Sequence, residues 1–133
     1  MELDDRRLSW RLAAVGRGAT RTAFDTVKAR IEAPNRVVYR HGPVTDWYVN
    51  GPFGVQHGVT VAERPDGLPG PAFVEIEVGA DDAPLAARVS DDGRHATIVG
   101  ADGELMHYGR TVVVDADGRN CRRISRRRAM RVR

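Results

Sequence analysis

Apolar and polar residues alternate over short runs along most of this chain, and turn-forming dipeptides separate the runs. In residues 73–78, Val74, Ile76 and Val78 fall on one face while Glu75 and Glu77 fall on the other. That period of two predicts a half-buried strand whose glutamates are solvated. Leu8, Trp10 and Leu12 alternate with Ser9 and Arg11 in the same way, which predicts a second strand with those three side chains inward. Further strands are predicted over 36–41, 45–50, 59–63, 85–89, 96–99, 105–108 and 111–115. The punctuation between them is Asn50-Gly51, Asp66-Gly67, Pro69-Gly70, Asp92-Gly93, Asp102-Gly103, Tyr108-Gly109 and Asp117-Gly118. Only residues 22–32 lean towards a helix, with Phe24, Val27 and Ile31 at i, i+3 and i+7 ahead of Pro34. The same residues also suit a strand followed by a loop. About nine short strands result, so the expectation is an all-β fold. Specifically, it is an antiparallel β-sandwich-like domain over 1–118 with a disordered or irregular basic tail over 119–133.

Composition agrees with a folded domain: the chain has 133 residues, 41% hydrophobic and 29% charged. That length buries one modest core. Uncharged apolar runs are too short for a membrane-spanning helix, and the first residues carry no apolar signal-peptide segment. As written, then, the chain reads as cytoplasmic. Charge changes the picture at one end. Eight arginines and no acid follow position 118, which leaves a net of −5 over residues 1–118 beneath the overall +3. An acidic body with a basic tail is a different object from a basic domain. The one cysteine, Cys121, lies in that tail and can form no internal disulfide.

Candidate chemistry is sparse. His41, His57, His95 and His107 are spaced by 16, 38 and 12 residues, which matches no metal-binding pattern. Scattered histidines on polar faces are expected, with no metal site and no cofactor. Asp115-Ala116-Asp117-Gly118 resembles the opening of a calcium loop, but Ile124 stands where the bidentate glutamate belongs. A plain turn is expected there, as at Asp81-Asp82 and Asp91-Asp92. No nucleophile elbow, phosphate-binding loop or dinucleotide fingerprint occurs, so no catalytic residues are assigned.

The densest feature is residues 46–58, Asp-Trp-Tyr-Val-Asn-Gly-Pro-Phe-Gly-Val-Gln-His-Gly. Trp47 and Tyr48 point to opposite faces of a strand, so one of them should pack inward. Asn50-Gly51 suits a tight turn, with Pro52 and Gly54 shaping the return. An exposed Tyr48 in a ligand groove is the functional alternative to this architectural reading.

Together with Asn35-Arg36-Val37-Val38-Tyr39-Arg40-His41-Gly42, this stretch resembles a hallmark of bacterial surface proteins. In that family an N-terminal β-rich domain precedes FG-GAP, β-propeller or Ig-like repeat arrays. The positions matching the motif are Asp46 (where the family usually has Glu), Trp47, Tyr48, Asn50, Gly51, Pro52, Gly54 and Gly58. The resemblance extends over about residues 8–119 and fails after Arg119, where the family continues with further strands. It therefore implies a truncated chain, an extracellular or cell-surface setting and an unpaired sheet edge prone to self-association. It further implies a non-enzymatic structural or presentation module whose partners are neighbouring repeat domains, together with a protein or glycan ligand. The alternative is a small protein whose Arg122, Arg123, Arg126, Arg127 and Arg128 bind nucleic acid non-specifically. The tail lacks aromatics for base stacking and the acidic body opposes such binding, so nucleic acid is the less favoured partner.

Overall fold

The computed structural model describes residues 2–3, 6–67, 69–80, 85–109, 111–119 and 130–132. Twelve strands and no helix occur among them. In chain order these are β1 (Glu2–Leu3), β2 (Arg6–Arg17), β3 (Thr20–Ala23), β4 (Arg30–Ala33), β5 (Arg36–His41) and β6 (Val44–Gly51). They continue with β7 (Gly54–Val61), β8 (Ala72–Ala80), β9 (Ala86–Val89), β10 (Ala96–Gly100), β11 (Gly103–Tyr108) and β12 (Met130–Val132). The fold is all-β, as the alternation predicts. No helix among the described residues is long and apolar enough to cross a membrane.

The chain divides into two compact units, one formed by residues 1–13 with 73–133 and the other by residues 14–72. In the first unit β2 hydrogen-bonds β8, flanked by β1 and β12, and a second sheet runs in the order β11-β10-β9. Leu8, Leu12, Ala13, Ile76, Val78, Ala96 and Ile98 are its buried apolar residues. Trp10, the third residue expected inward, is only half-buried and lies 5.0 Å from the Tyr108 ring. The glutamate face of β8 departs from expectation. Glu75 is buried, and the Glu77 side chain is 13% exposed with its carboxylate 3.5 Å from Arg11. Alternation located the strand correctly but not the solvation of its second face, because that depends on what lies over it.

In the second unit the sheet runs β4-β5-β6-β7, all antiparallel, and β3 pairs with the end of β2. Phe24, Val27 and Ile31 do not form a helix. Residues 20–23 are strand, residues 24–29 are irregular, and residues 30–33 are strand β4 with Ile31 75% exposed. A helix there needs a core for its apolar stripe, and Phe24 instead stacks on His41 at 4.7 Å. The turn from β5 to β6 is Gly42-Pro43, where a φ of +65° at Gly42 suits the first position of a two-residue hairpin loop.

Two other expectations shift. Asn50 and Gly51 are not the turn: they remain in β6, opposite Val55 and Gly54, and Pro52-Phe53 makes the reversal. Proline's fixed φ suits that first turn position, and the Asn50 backbone is engaged by Asn35, which accepts its N–H at 2.8 Å. The strand expected at 111–115 reduces to a single bridge at Val114, with Val112, Val113 and Val114 exposed. Without a buried face, valine content alone does not hold a strand.

Candidate functional site

The ladder of β5, β6 and β7 decides which side chains meet. Tyr39 lies opposite Asp46, and Asp46 opposite Val59; Tyr48 lies opposite Val37 and His57. Directly opposed residues share a face, so Tyr39, His41, Val44, Asp46, Tyr48 and His57 stand on one side of this sheet. Thr45, Trp47, Val49, Arg36 and Gly58 stand on the other.

Asp46 is the centre of the first face. It is 2% exposed, and its two oxygens are divided between two imidazoles. His41 Nε2 lies 3.2 Å from Oδ1, and His57 Nε2 lies 3.4 Å from Oδ2, the latter outside hydrogen-bond alignment. Side-chain exposure is 7% for His41 and 4% for His57. Both histidines are diagonal neighbours of Asp46 across the strand pairs, a distance that a short carboxylate and a long imidazole together span. A buried carboxylate without partners is costly, and the two rings provide those partners.

Aromatic rings close the cluster. Tyr48 stacks on His57 with centres 4.3 Å apart and planes within 5°, and Tyr39 meets Tyr48 edge-on at 5.8 Å. Phe24 covers His41. The Tyr48 hydroxyl is itself buried, so Tyr48 does not stand in an open groove. Among the described residues His41 Nδ1 has no hydrogen-bond partner. A buried N–H without an acceptor costs more than a bare lone pair, which assigns the His41 proton to Nε2, donated to Asp46.

On the opposite face Trp47 lies against Gly58, and the Arg36 guanidinium sits 4.9 Å from the centre of the indole. Glu32 fixes the arginines of this face, with Oε1 2.9 Å from Arg40 and Oε2 3.3 Å from Arg36. Trp47 and Tyr48 thus both pack on the sheet, one on each side, and neither is fully exposed. Of the remaining motif positions, Asn50, Gly51, Pro52 and Gly54 shape the hairpin end. Phe53, at its tip, is fully exposed.

The histidines are therefore not scattered. His41 and His57 converge on Asp46, and in the first unit His95 and His107 lie 5.6 Å apart. Sequence spacing could not reveal either pairing, because strand register and not residue count brings them together. The one available signal was positional parity: His41, Asp46 and His57 fall on the same face once the hairpins are aligned.

The acidic turns at Asp91-Asp92 and residues 115–118 are local structures, while Asp81-Asp82 lies outside the described residues. Asp115 accepts the N–H groups of Asp117 and Arg119, each at 2.9 Å. Asp92 accepts from the Ser90 hydroxyl and from the Arg94 N–H, and these bonds hold its carboxyl below the usual range. Among the described residues no group of three or more His, Cys, Asp or Glu side chains is arranged to hold a metal ion. Cys121 and the tail arginines Arg122, Arg123, Arg126, Arg127 and Arg128 lie outside the described residues. No family model matches this chain, and no curated protein or solved structure matches it either.

Proposed function

We propose that this chain is a non-enzymatic structural and presentation module of a bacterial secreted or cell-surface repeat protein. The observation that carries this reading is the sealing of Asp46, the one carboxylate among the motif positions. It is 2% exposed and held between two imidazoles that are themselves covered by aromatic rings. A group that must meet a substrate needs a path to it, and this one is used to fasten three strands together. The hairpin so stiffened projects Phe53, which is fully exposed and offers an apolar contact to a neighbouring β-repeat.

Fusing the chain ahead of a β-repeat array and following the unfolding of the array tests the reading. The array's midpoint rises when the module precedes it, and Phe53→Ser removes the rise. An array equally stable with and without the module overturns it. Nucleic-acid titration at several salt concentrations, with and without residues 119–133, separates the rival: tight, tail-dependent binding at physiological salt favours a nucleic-acid partner instead.

A further inference from the structure

His95 follows the turn that leads into β10, and His107 lies one residue from the end of β11. The antiparallel register sets Ala96 opposite Tyr108 and Thr97 opposite His107. His95, Thr97 and His107 consequently share a face, with Gly109 beside both rings. The point where a Cβ on Gly109 would sit is 3.0 Å from His95 Nδ1 and 3.2 Å from His107 Nε2. Two imidazole nitrogens thus approach one position, which glycine leaves unfilled.

The His95 backbone and the His107 ring are each tied by a hydrogen bond. The His95 backbone N–H donates to Ser90 Oγ at 3.1 Å, within the turn that Asp92 also ties. Thr97 Oγ1 lies 3.3 Å from His107 Nδ1, and the Nε2–Cδ2 edge of that ring faces Gly109, with the two atoms 3.2 and 3.3 Å from the Cβ point. Hydrogen bonding at one imidazole nitrogen is the usual way of orienting the other towards a metal. Two imidazoles bound at about 2.0–2.1 Å to one tetrahedral ion have ring centres about 5 Å apart. The observed separation is 5.6 Å with the ring planes 24° apart, so chelation requires the two side chains to rotate from this stacked arrangement.

We propose that His95 and His107 chelate a divalent transition-metal ion of the imidazole-preferring class, Zn2+ or Cu2+, through His95 Nδ1 and His107 Nε2. No third His, Cys, Asp or Glu completes a cluster among the described residues. Water, or a donor brought by a docking partner, takes the remaining positions, which suits an exchangeable surface ion better than a structural one. Thr97 is a positioning residue here, acting through His107.

Calorimetric titration of the full chain with Zn2+ near neutral pH, alongside His95→Ala, His107→Ala and Cys121→Ser, tests the assignment. One saturable site is expected, weakened at least about tenfold in each histidine variant and retained in Cys121→Ser. Substoichiometric Cu2+ added to the isotope-labelled wild-type chain should broaden the amide signals of His95, Thr97, His107 and Gly109 before any others. This second readout does not depend on the folding of any variant. The proposal is overturned by absence of saturable Zn2+ binding, by binding that survives both histidine substitutions, or by binding lost in Cys121→Ser. Copper broadening centred elsewhere in the chain overturns it equally.

Discussion

Trp47 lies across Gly58, its directly opposed neighbour on the adjacent strand, so that a Cβ added to Gly58 would fall inside the indole. An aromatic ring covering a strand glycine repairs the packing that the glycine forgoes. Gly58→Ala should therefore destabilise the chain by about 1–3 kcal/mol, the usual cost of overpacking. In a Trp47→Ala background the same substitution should be close to neutral, because the obstacle has gone. A denaturant-based double-mutant cycle measures the difference, and additive costs would show that Trp47 is not the reason for the glycine.

Asp46 is the second test of the hairpin. Asp46→Asn keeps the size of the side chain but replaces one oxygen with an amide that faces an imidazole. Removing one partner from a buried charged network typically costs about 3–5 kcal/mol. The neutral isostere should fall towards the lower end, and Asp46→Ala towards the upper. Urea unfolding of both variants checks the order, and an effect below about 0.5 kcal/mol, the level of an ordinary surface change, would remove Asp46 from any structural role.

Strand content was legible in the sequence wherever one face is buried and the period of two is clean, as in β5, β6 and β8. It was not legible at 111–115, where three valines in a row carry the propensity of a strand without a partner face. The helical spacing of Phe24, Val27 and Ile31 was a coincidence of three positions, and the hydrophobic payload that a helix needs is missing from it. The site was harder still. The residue types of His41, Asp46 and His57 were visible, but their meeting depends on the register of two hairpins. The Asn50-Gly51 pair suggested one register, whereas Pro52-Phe53 makes the turn and places His57 opposite Tyr48. A turn misplaced by two residues alters every cross-strand pair beyond it.

Tyr108 gives a pH-dependent prediction. Burial raises its phenol from 10.0 to about 12, because the folded protein disfavours the phenolate. The folded value lies above the unfolded one, so the associated stability is fully present below pH 10 and is lost as pH rises towards about 12. The two-unit difference corresponds to at most about 3 kcal/mol. Urea unfolding between about pH 9 and about pH 12 should thus show a decline that is shallower in Tyr108→Phe than in the wild type. Equal slopes in the two proteins would mean that Tyr108 ionises as freely folded as unfolded.

Phe53 separates stability from association. It caps a rigid turn yet buries nothing, since its side chain is fully exposed. Replacing it with serine should leave the unfolding free energy within about 0.5 kcal/mol, as for other surface positions away from the core. If the proposed presentation role holds, the same substitution should reduce binding to a β-repeat array, and also any self-association of the chain, because it removes the exposed apolar tip. Sedimentation velocity on Phe53→Ser and the wild type, alone and mixed with the array, reads both effects together. A large loss of stability would mean that Phe53 packs within the fold, and unchanged association would leave the hairpin without a role in presentation.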